Sequence, residues 1–203
     1  MVKATLYLEG GGDSKELKVR CRQAFNKLIE NSGFKGKMPK IVACGSRDSA
    51  YDSFKTAHAA DAQKDRYIAL FVDSEDTVKD IEKPWQHLEA RDSWDRPHDA
   101  DDEQALLMVT SMETWIVADR EAIKAKFSNC WRKNSLPSLT DLEAKGRKAI
   151  FDALVDTTRD CGKRKYAKGK ISFDMLQRVS PKTLKKHLPS FVRVVRILKA
   201  KLG

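Results

Sequence analysis

Residues 66–73, RYIALFVD, constrain the fold more than any other stretch, because six consecutive apolar or aromatic residues run directly into an acid. A run that short and that uniformly apolar is the pattern of a strand covered on both faces, as the strands of parallel sheets are. Three further runs resemble it. ATLYLEG (4–10) is β-rich and ends at Glu9 and three glycines, KIVACG (40–45) is brief and apolar, and ALLMVT (105–110) is a plausible fourth strand.

Helical patterns separate these runs. Leu17, Cys21, Phe25, Leu28 and Ile29 recur at helical spacing behind Asp13 and Ser14, either of which can cap, and Asn31, Gly33 and Gly36 close that helix. Ala50, Phe54 and Ala57 mark one face of a helix over 46–60, and METWIVADREAIKAKF predicts a single helix over 112–127. Alternation of this kind predicts an α/β fold, a Rossmann-like, doubly wound parallel sheet flanked by helices. Residues 84–104, with Pro84, Pro97 and the acidic DADDE, lose the periodicity and are expected to form a polar insertion or long loop.

After residue 127 the pattern is helical. Thr140 and Glu143 have capping-box spacing and predict a helix running to about Thr157. Pro181 suits the first turn of another helix, and Ser190 is expected to cap a last one, with Phe191, Val194, Val195, Leu198 and Leu202 opposite Arg193, Arg196 and Lys199. The expected organisation is therefore an α/β domain over 1–127 and a basic helical extension over 128–203 packed on it. Charge follows the same division: 17 Lys and Arg against 22 Asp and Glu up to residue 119, then 22 against 7. An acidic half followed by a basic half suits a cation site beside a polyanion-binding surface; a merely sticky basic tail has the same composition.

Other classes are excluded or disfavoured. There is no run of eighteen apolar residues to span a membrane and no signal-peptide pattern. Cys21, Cys44, Cys130 and Cys161 form no CxxC pair, and His58, His87, His98 and His187 have no metal-ligand spacing. Reduced, core-filling thiols and a cytoplasmic location are the expectation. GGGDSK lacks the frame of a phosphate-binding P-loop, so any ATPase is a separate partner.

The acids carry the chemistry. Ligand sites in open parallel sheets form at the carboxyl ends of the strands, and here two strands end in acids, Glu9 and Asp73. Asp13 lies four residues beyond Glu9 across the glycines, and Glu75 and Asp76 follow Asp73. Carboxylates converging on one rim raise one another's pKa values unless a hard cation neutralises them, and Mg²⁺, with Mn²⁺ as its substitute, has the matching preference for oxygen ligands. Each motif alone is also a good strand terminator or helix start. Glu113, just beyond the fourth strand, is either a further ligand at the same rim or a solvated helix residue. The segment KRKYAKGK places Lys163, Arg164, Lys165, Lys168 and Lys170 around Tyr166, the arrangement of a phosphate-backbone contact with a base-stacking aromatic, or of an ordinary solvated loop.

At these residues the chain resembles a family. The order strand–Glu–glycine loop–helix, strand–helix, then a strand ending in a DxD-like motif is similar to the TOPRIM domain of topoisomerases, bacterial primases and the overcoming-lysogenisation-defect nucleases. LEGGGD looks like the nuclease version, with Glu9 and Asp13 as its two acids; Asp73-Ser74-Glu75 stands at the DxD, with Glu75 or Asp76 in its second acidic slot. SMETWIVAD further resembles stand-alone TOPRIM-like proteins encoded beside an ATPase in bacterial defence islands. The resemblance implies a Mg²⁺-dependent nuclease on DNA or RNA, with Glu9 also serving as general acid or base, Lys168 contacting the scissile phosphate, and a partner ATPase. No tyrosine is marked as a topoisomerase nucleophile and no zinc module marks a primase. The alternative is a regulatory or scaffold subunit that has kept the fold. A haloacid-dehalogenase-type phosphohydrolase is disfavoured, since its nucleophilic Asp belongs on the first strand, where this chain has LYLEG.

Overall fold

Strands β1 (Ala4–Gly11), β2 (Lys40–Gly45), β3 (Tyr67–Asp73) and β4 (Ala105–Met108) pair in parallel in the order β2-β1-β3-β4. They belong to a computed structural model that describes residues 4–61 and 66–203. The chain goes from β1 outward to β2 and then crosses back over β1 to β3, so the winding reverses between β1 and β3. That crevice is the switch point where open α/β sheets bind ligands. Leu8 of β1 lies opposite Phe71 of β3, and Asp73 opposite Met108 of β4.

Alternation along the strands gives the sheet two dry faces. Leu6, Leu8, Ala69, Phe71, Leu106 and Met108 share one cluster with Cys21, Phe25 and Leu28 of α1 (Lys15–Ile29), which Ser14 caps through the amide of Leu17 at 3.3 Å. Ile68, Leu70, Val72, Ala105 and Leu107 face the other way, against Ala50, Tyr51 and Phe54 of α2 (Arg47–Ala60). The fold is thus α/β, a Rossmann-like parallel sheet flanked by helices.

Several local expectations give way to tertiary demands. The segment expected to be a polar insertion contains α3 (Pro84–Asp92), whose Trp85 and Leu88, together with Trp94, complete the α2 face of the sheet. Trp94 stacks on Tyr51 at 4.4 Å. The single helix expected over 112–127 breaks into α4 (Met112–Ala118) and α5 (Arg120–Phe127) at Asp119, which is buried and used twice. One oxygen accepts from the Ala122 amide at 3.1 Å and caps α5; the other accepts from the Ser180 amide at 2.7 Å.

The C-terminal half is part of the same core. Helices α6 (Arg147–Thr157), α7 (Lys170–Leu176), α8 (Pro181–His187) and α9 (Pro189–Leu202) pack into the α1-side cluster, with Ile150, Leu176, Leu184 and Val194 among its members. Arg193, expected on the solvated side of α9, is 3% exposed. Two cysteines expected as thiols, Cys130 and Cys161, form a disulfide across 31 residues; Cys21 and Cys44 are free. The bridge joins two turns that sequence spacing does not relate. Among the described residues no helix is long and apolar enough to cross a membrane.

Glu143 does not open a helix. It lies in a short 3-10 turn (Leu142–Ala144), and its carboxylate accepts from the amide of Ser190 at 3.2 Å and from that residue's hydroxyl, capping α9 from a distance. Trp115 Nε1 donates to the same hydroxyl at 3.3 Å. Burial raises the Glu143 pKa to about 7, against the opposing pull of the Ser190 donors. A carboxyl raised in the fold stabilises fully below its unfolded pKa, and that contribution is lost as pH rises through about 7. Glu143→Gln is therefore expected to flatten the dependence of Tm on pH between 5 and 7, where the wild type loses on the order of 2 kcal/mol. Parallel melting curves of the two proteins across that range check it; identical slopes would assign the raised pKa no role in stability.

Candidate metal centre

The crevice between β1 and β3 brings together acids that are 64 residues apart. Glu9 ends the regular part of β1, where the register against β2 shifts and Glu9, Gly10 and Gly11 all lie opposite Gly45. Gly11 has to be glycine here: its φ is +89°, and a Cβ would stand 2.7 Å from the Lys18 backbone. The tight loop keeps Glu9 over the crevice, where its Oε2 accepts from the Asp73 amide at 3.3 Å. Asp73 closes β3, and its Oδ1 accepts from the Met112 amide at the start of α4, 2.8 Å away.

Glu75 returns to the same place through a left-handed turn. Its φ is +67°, uncommon for a residue with a side chain, and its amide donates to Thr110 O at 2.8 Å just after that of Ser74 donates to Met108 O. The hydrogen bonding between β3 and β4 thus continues past the strand and fixes the turn. One oxygen each from Glu9, Asp73 and Glu75 lie within 4.8 Å of one another.

Burial decides the electrostatics. Asp73 is 9% exposed, and desolvation, then the charges of Glu9 and Glu113, push its pKa well above the usual carboxylate range against the Met112 amide and Arg147. The Glu9 pKa is also raised, by desolvation first, with Arg47, the Asp73 amide and Arg147 opposing. Two carboxyls that burial, and for Asp73 also the neighbouring charges, hold toward the neutral form are a site that a cation would relieve. All three donors are carboxylate oxygens, with no sulfur or imidazole in the cluster, so the residues fit a hard divalent ion such as Mg²⁺ or Mn²⁺.

Beside the cluster lies a cavity of about 320 Å³ lined by Glu9, the Gly10–Gly12 loop, Asp73, Met112, Glu113, Lys168 and Ser172, among others. Its far wall comes from the C-terminal half. Glu113 is 2% exposed, which removes the solvated-helix alternative, and its Oε1 accepts from the Tyr166 hydroxyl at 3.0 Å and lies 4.0 Å from Lys168 Nζ. Tyr166 is therefore inside the protein as a support for Glu113, not on the surface for a base to stack on; it is 2% exposed. Lys163, Arg164, Lys165, Lys168 and Lys170 are exposed, with Lys170 paired to Glu16 at 2.9 Å. A larger cavity, about 780 Å³, between the 139–144 loop and the start of α9 contains none of the three clustered acids.

Two sequence candidates stand outside the cluster. Asp13 is exposed in the turn before Ser14, and Asp76 points outward to Arg91 Nε at 2.9 Å. The positive φ of Glu75 explains the second case, since turning one acid inward turns the next one out. Arginines are what the sequence did not announce. Arg47, at the start of α2, stands 3.5 Å from Glu9 Oε2 and donates to Asp73 O, while Arg91 and Arg147 both reach Glu75. They come from three helices, and no motif links them.

A protein-family model described as a domain of unknown function, DUF4276, matches residues 8–199. The chain belongs to the DUF4276 family. Glu9, Asp73, Glu75, Glu113 and Lys168 all fall within the matched span, as do α1 through most of α9, so the family unit comprises both walls of the cavity. Searches of curated proteins and of solved structures find no significant match.

Proposed function

We propose that this DUF4276 protein is a divalent-metal-dependent TOPRIM-like nuclease, hydrolysing phosphodiester bonds in DNA or RNA. The observation that carries the reading is the meeting of Glu9, Asp73 and Glu75 at the sheet's switch point. It is where the TOPRIM resemblance requires the acids to lie. Glu9, Asp73 and Glu75 would hold the ion, with Glu113 at the cavity's opposite wall. When bound, Mg²⁺ or Mn²⁺ supplies Lewis-acid polarisation of a phosphoryl oxygen.

The protein's own groups do the remainder. Glu9 is fixed through Oε2 by the Asp73 amide and Arg47, and burial raises its pKa, which favours its taking up a proton. Lys168, about half exposed at the cavity rim beside Glu113, is placed to meet a phosphate there. Lys163, Arg164, Lys165 and Lys170 extend positive charge outward on the same segment, where a polyanion gains affinity by counterion release. Following the resemblance, the protein works with a separate ATPase as an anti-phage effector.

One observation favours a second reading, a catalytically silent regulatory or scaffold subunit: Arg47 and Arg147 already neutralise the acids without any ion. Plasmid DNA and RNA incubated with the protein in Mg²⁺ or Mn²⁺ separate the two. Cleavage by the wild type, reduced by about 10²-fold or more in Asp73→Ala, supports the nuclease. Equal inactivity of both proteins on both substrates supports the scaffold.

A further inference from the structure

The arginines around the acidic cluster are not equivalent. Arg47 is a fixed part of the wall: its side chain is 13% exposed, Asp92 accepts from its Nε and Nη2, and its guanidinium lies 4.7 Å over the Trp94 ring. Arg91 is shared between Glu75, Asp76 and Asp92. Arg147, the first residue of α6, is 37% exposed and pairs with Glu75, and among the described residues it has no other ion pair or hydrogen bond.

From this asymmetry we infer that Arg147 is a movable counter-cation: it rests on Glu75 while the cluster is empty of metal, leaves when a divalent ion arrives, and then grips a substrate phosphate at the rim. The inference rests on the metal-site reading above. A guanidinium and a divalent ion on one carboxylate repel, and of the two guanidiniums on Glu75, Arg91 is held by Asp76 and Asp92 as well, so Arg147 is the one the ion displaces. Once displaced it stays tethered by α6 to the edge of the cluster. Its planar fork of donors matches a phosphate better than an ammonium does. Arg147 is thus a positioning residue that links metal loading to substrate binding.

Calorimetric titration of Mn²⁺ into EDTA-stripped wild type, Arg147→Gln and Arg147→Lys tests the first half. Binding of an uncleavable phosphorothioate oligonucleotide in Mn²⁺ tests the second. Removing the competing charge is expected to tighten Mn²⁺ binding about 5-fold in R147Q, while R147K stays near the wild type. Oligonucleotide affinity is expected to fall about 10-fold in R147Q and to be partly recovered in R147K. Unchanged or weaker Mn²⁺ binding by R147Q, beside a wild type that binds the ion, overturns the counter-cation and leaves the metal site standing. No Mn²⁺ heat from any of the three proteins overturns the metal reading, and this inference with it.

Discussion

Asp73→Asn is expected to make the metal-free protein more stable and to abolish its affinity for a divalent ion. The buried carboxyl of Asp73 is raised well above its ordinary pKa by desolvation and by Glu9 and Glu113. A group raised in this way stabilises the fold below its unfolded pKa, near 4, and that contribution disappears as pH rises through the folded value. At pH 8, far above the unfolded value, that contribution has been eroded, and an amide of the same shape, which does not titrate, escapes the loss. The amide oxygen still accepts from Met112 N, and the new NH₂ can donate to a neighbouring carboxylate. In EDTA at pH 8 the variant's Tm is expected to rise by roughly 3–6 °C, with little difference from the wild type at acidic pH. On the proposed metal reading, Mn²⁺ affinity is expected to fall by about 100-fold or more, because the proposed ligand is replaced by a neutral oxygen. Scanning calorimetry at both pH values and Mn²⁺ titration read these effects. A variant destabilised in EDTA, at pH 8 as at acid pH, would mean that Asp73 is a structural acceptor and not a site held under strain for an ion.

The parts of this centre that the sequence disclosed are those set by strand periodicity. Glu9 and Asp73 each end an apolar run, and parallel strands place such ends on one rim, so their meeting was readable without coordinates. What followed the strands was not readable, because a turn's backbone angles decide which of several adjacent acids points inward. Glu75 turns in through its positive φ while Asp76 faces solvent, and Asp13 is left in a surface turn. The arginines, each more than forty residues from the next in the chain, arrive from three helices, for which local pattern holds no signal. Tyr166 misled for a different reason: five cations surround it in the chain, yet its ring is buried and its hydroxyl serves Glu113. Amphipathic side chains take their place from the tip's partner, and that partner was 53 residues away.

Arg193 shows the same override in the fold itself, and it supplies the largest expected loss of stability. β4 is the outer strand of the sheet, so its outward carbonyls need donors. Arg193 of α9 supplies one at the start of the strand, where Nη1 donates to Ala105 O at 2.9 Å; Nη2 donates to Asp102 O in the preceding turn at 2.6 Å, and Nε meets Glu82 at 3.2 Å. Arg193→Met keeps the packing of the stem and removes every donor. Glu82 is 58% exposed and can turn to water, but Ala105 O is left under the helix without a partner. The cost is expected to be about 3 kcal/mol, which lowers Tm by roughly 6–12 °C in a chain of this size. Arg196→Met, three residues on, removes only half-exposed pairs to Glu82 and Glu103 and is expected to cost under about 0.5 kcal/mol. Because α9 shares one core with Phe71 and Trp115, the loss should appear as a downward shift of a single cooperative transition. Two separate transitions, with only the later helices melting early in R193M, would show that the basic half is a domain of its own and that the cavity wall carrying Lys168 and Ser172 is held by docking alone.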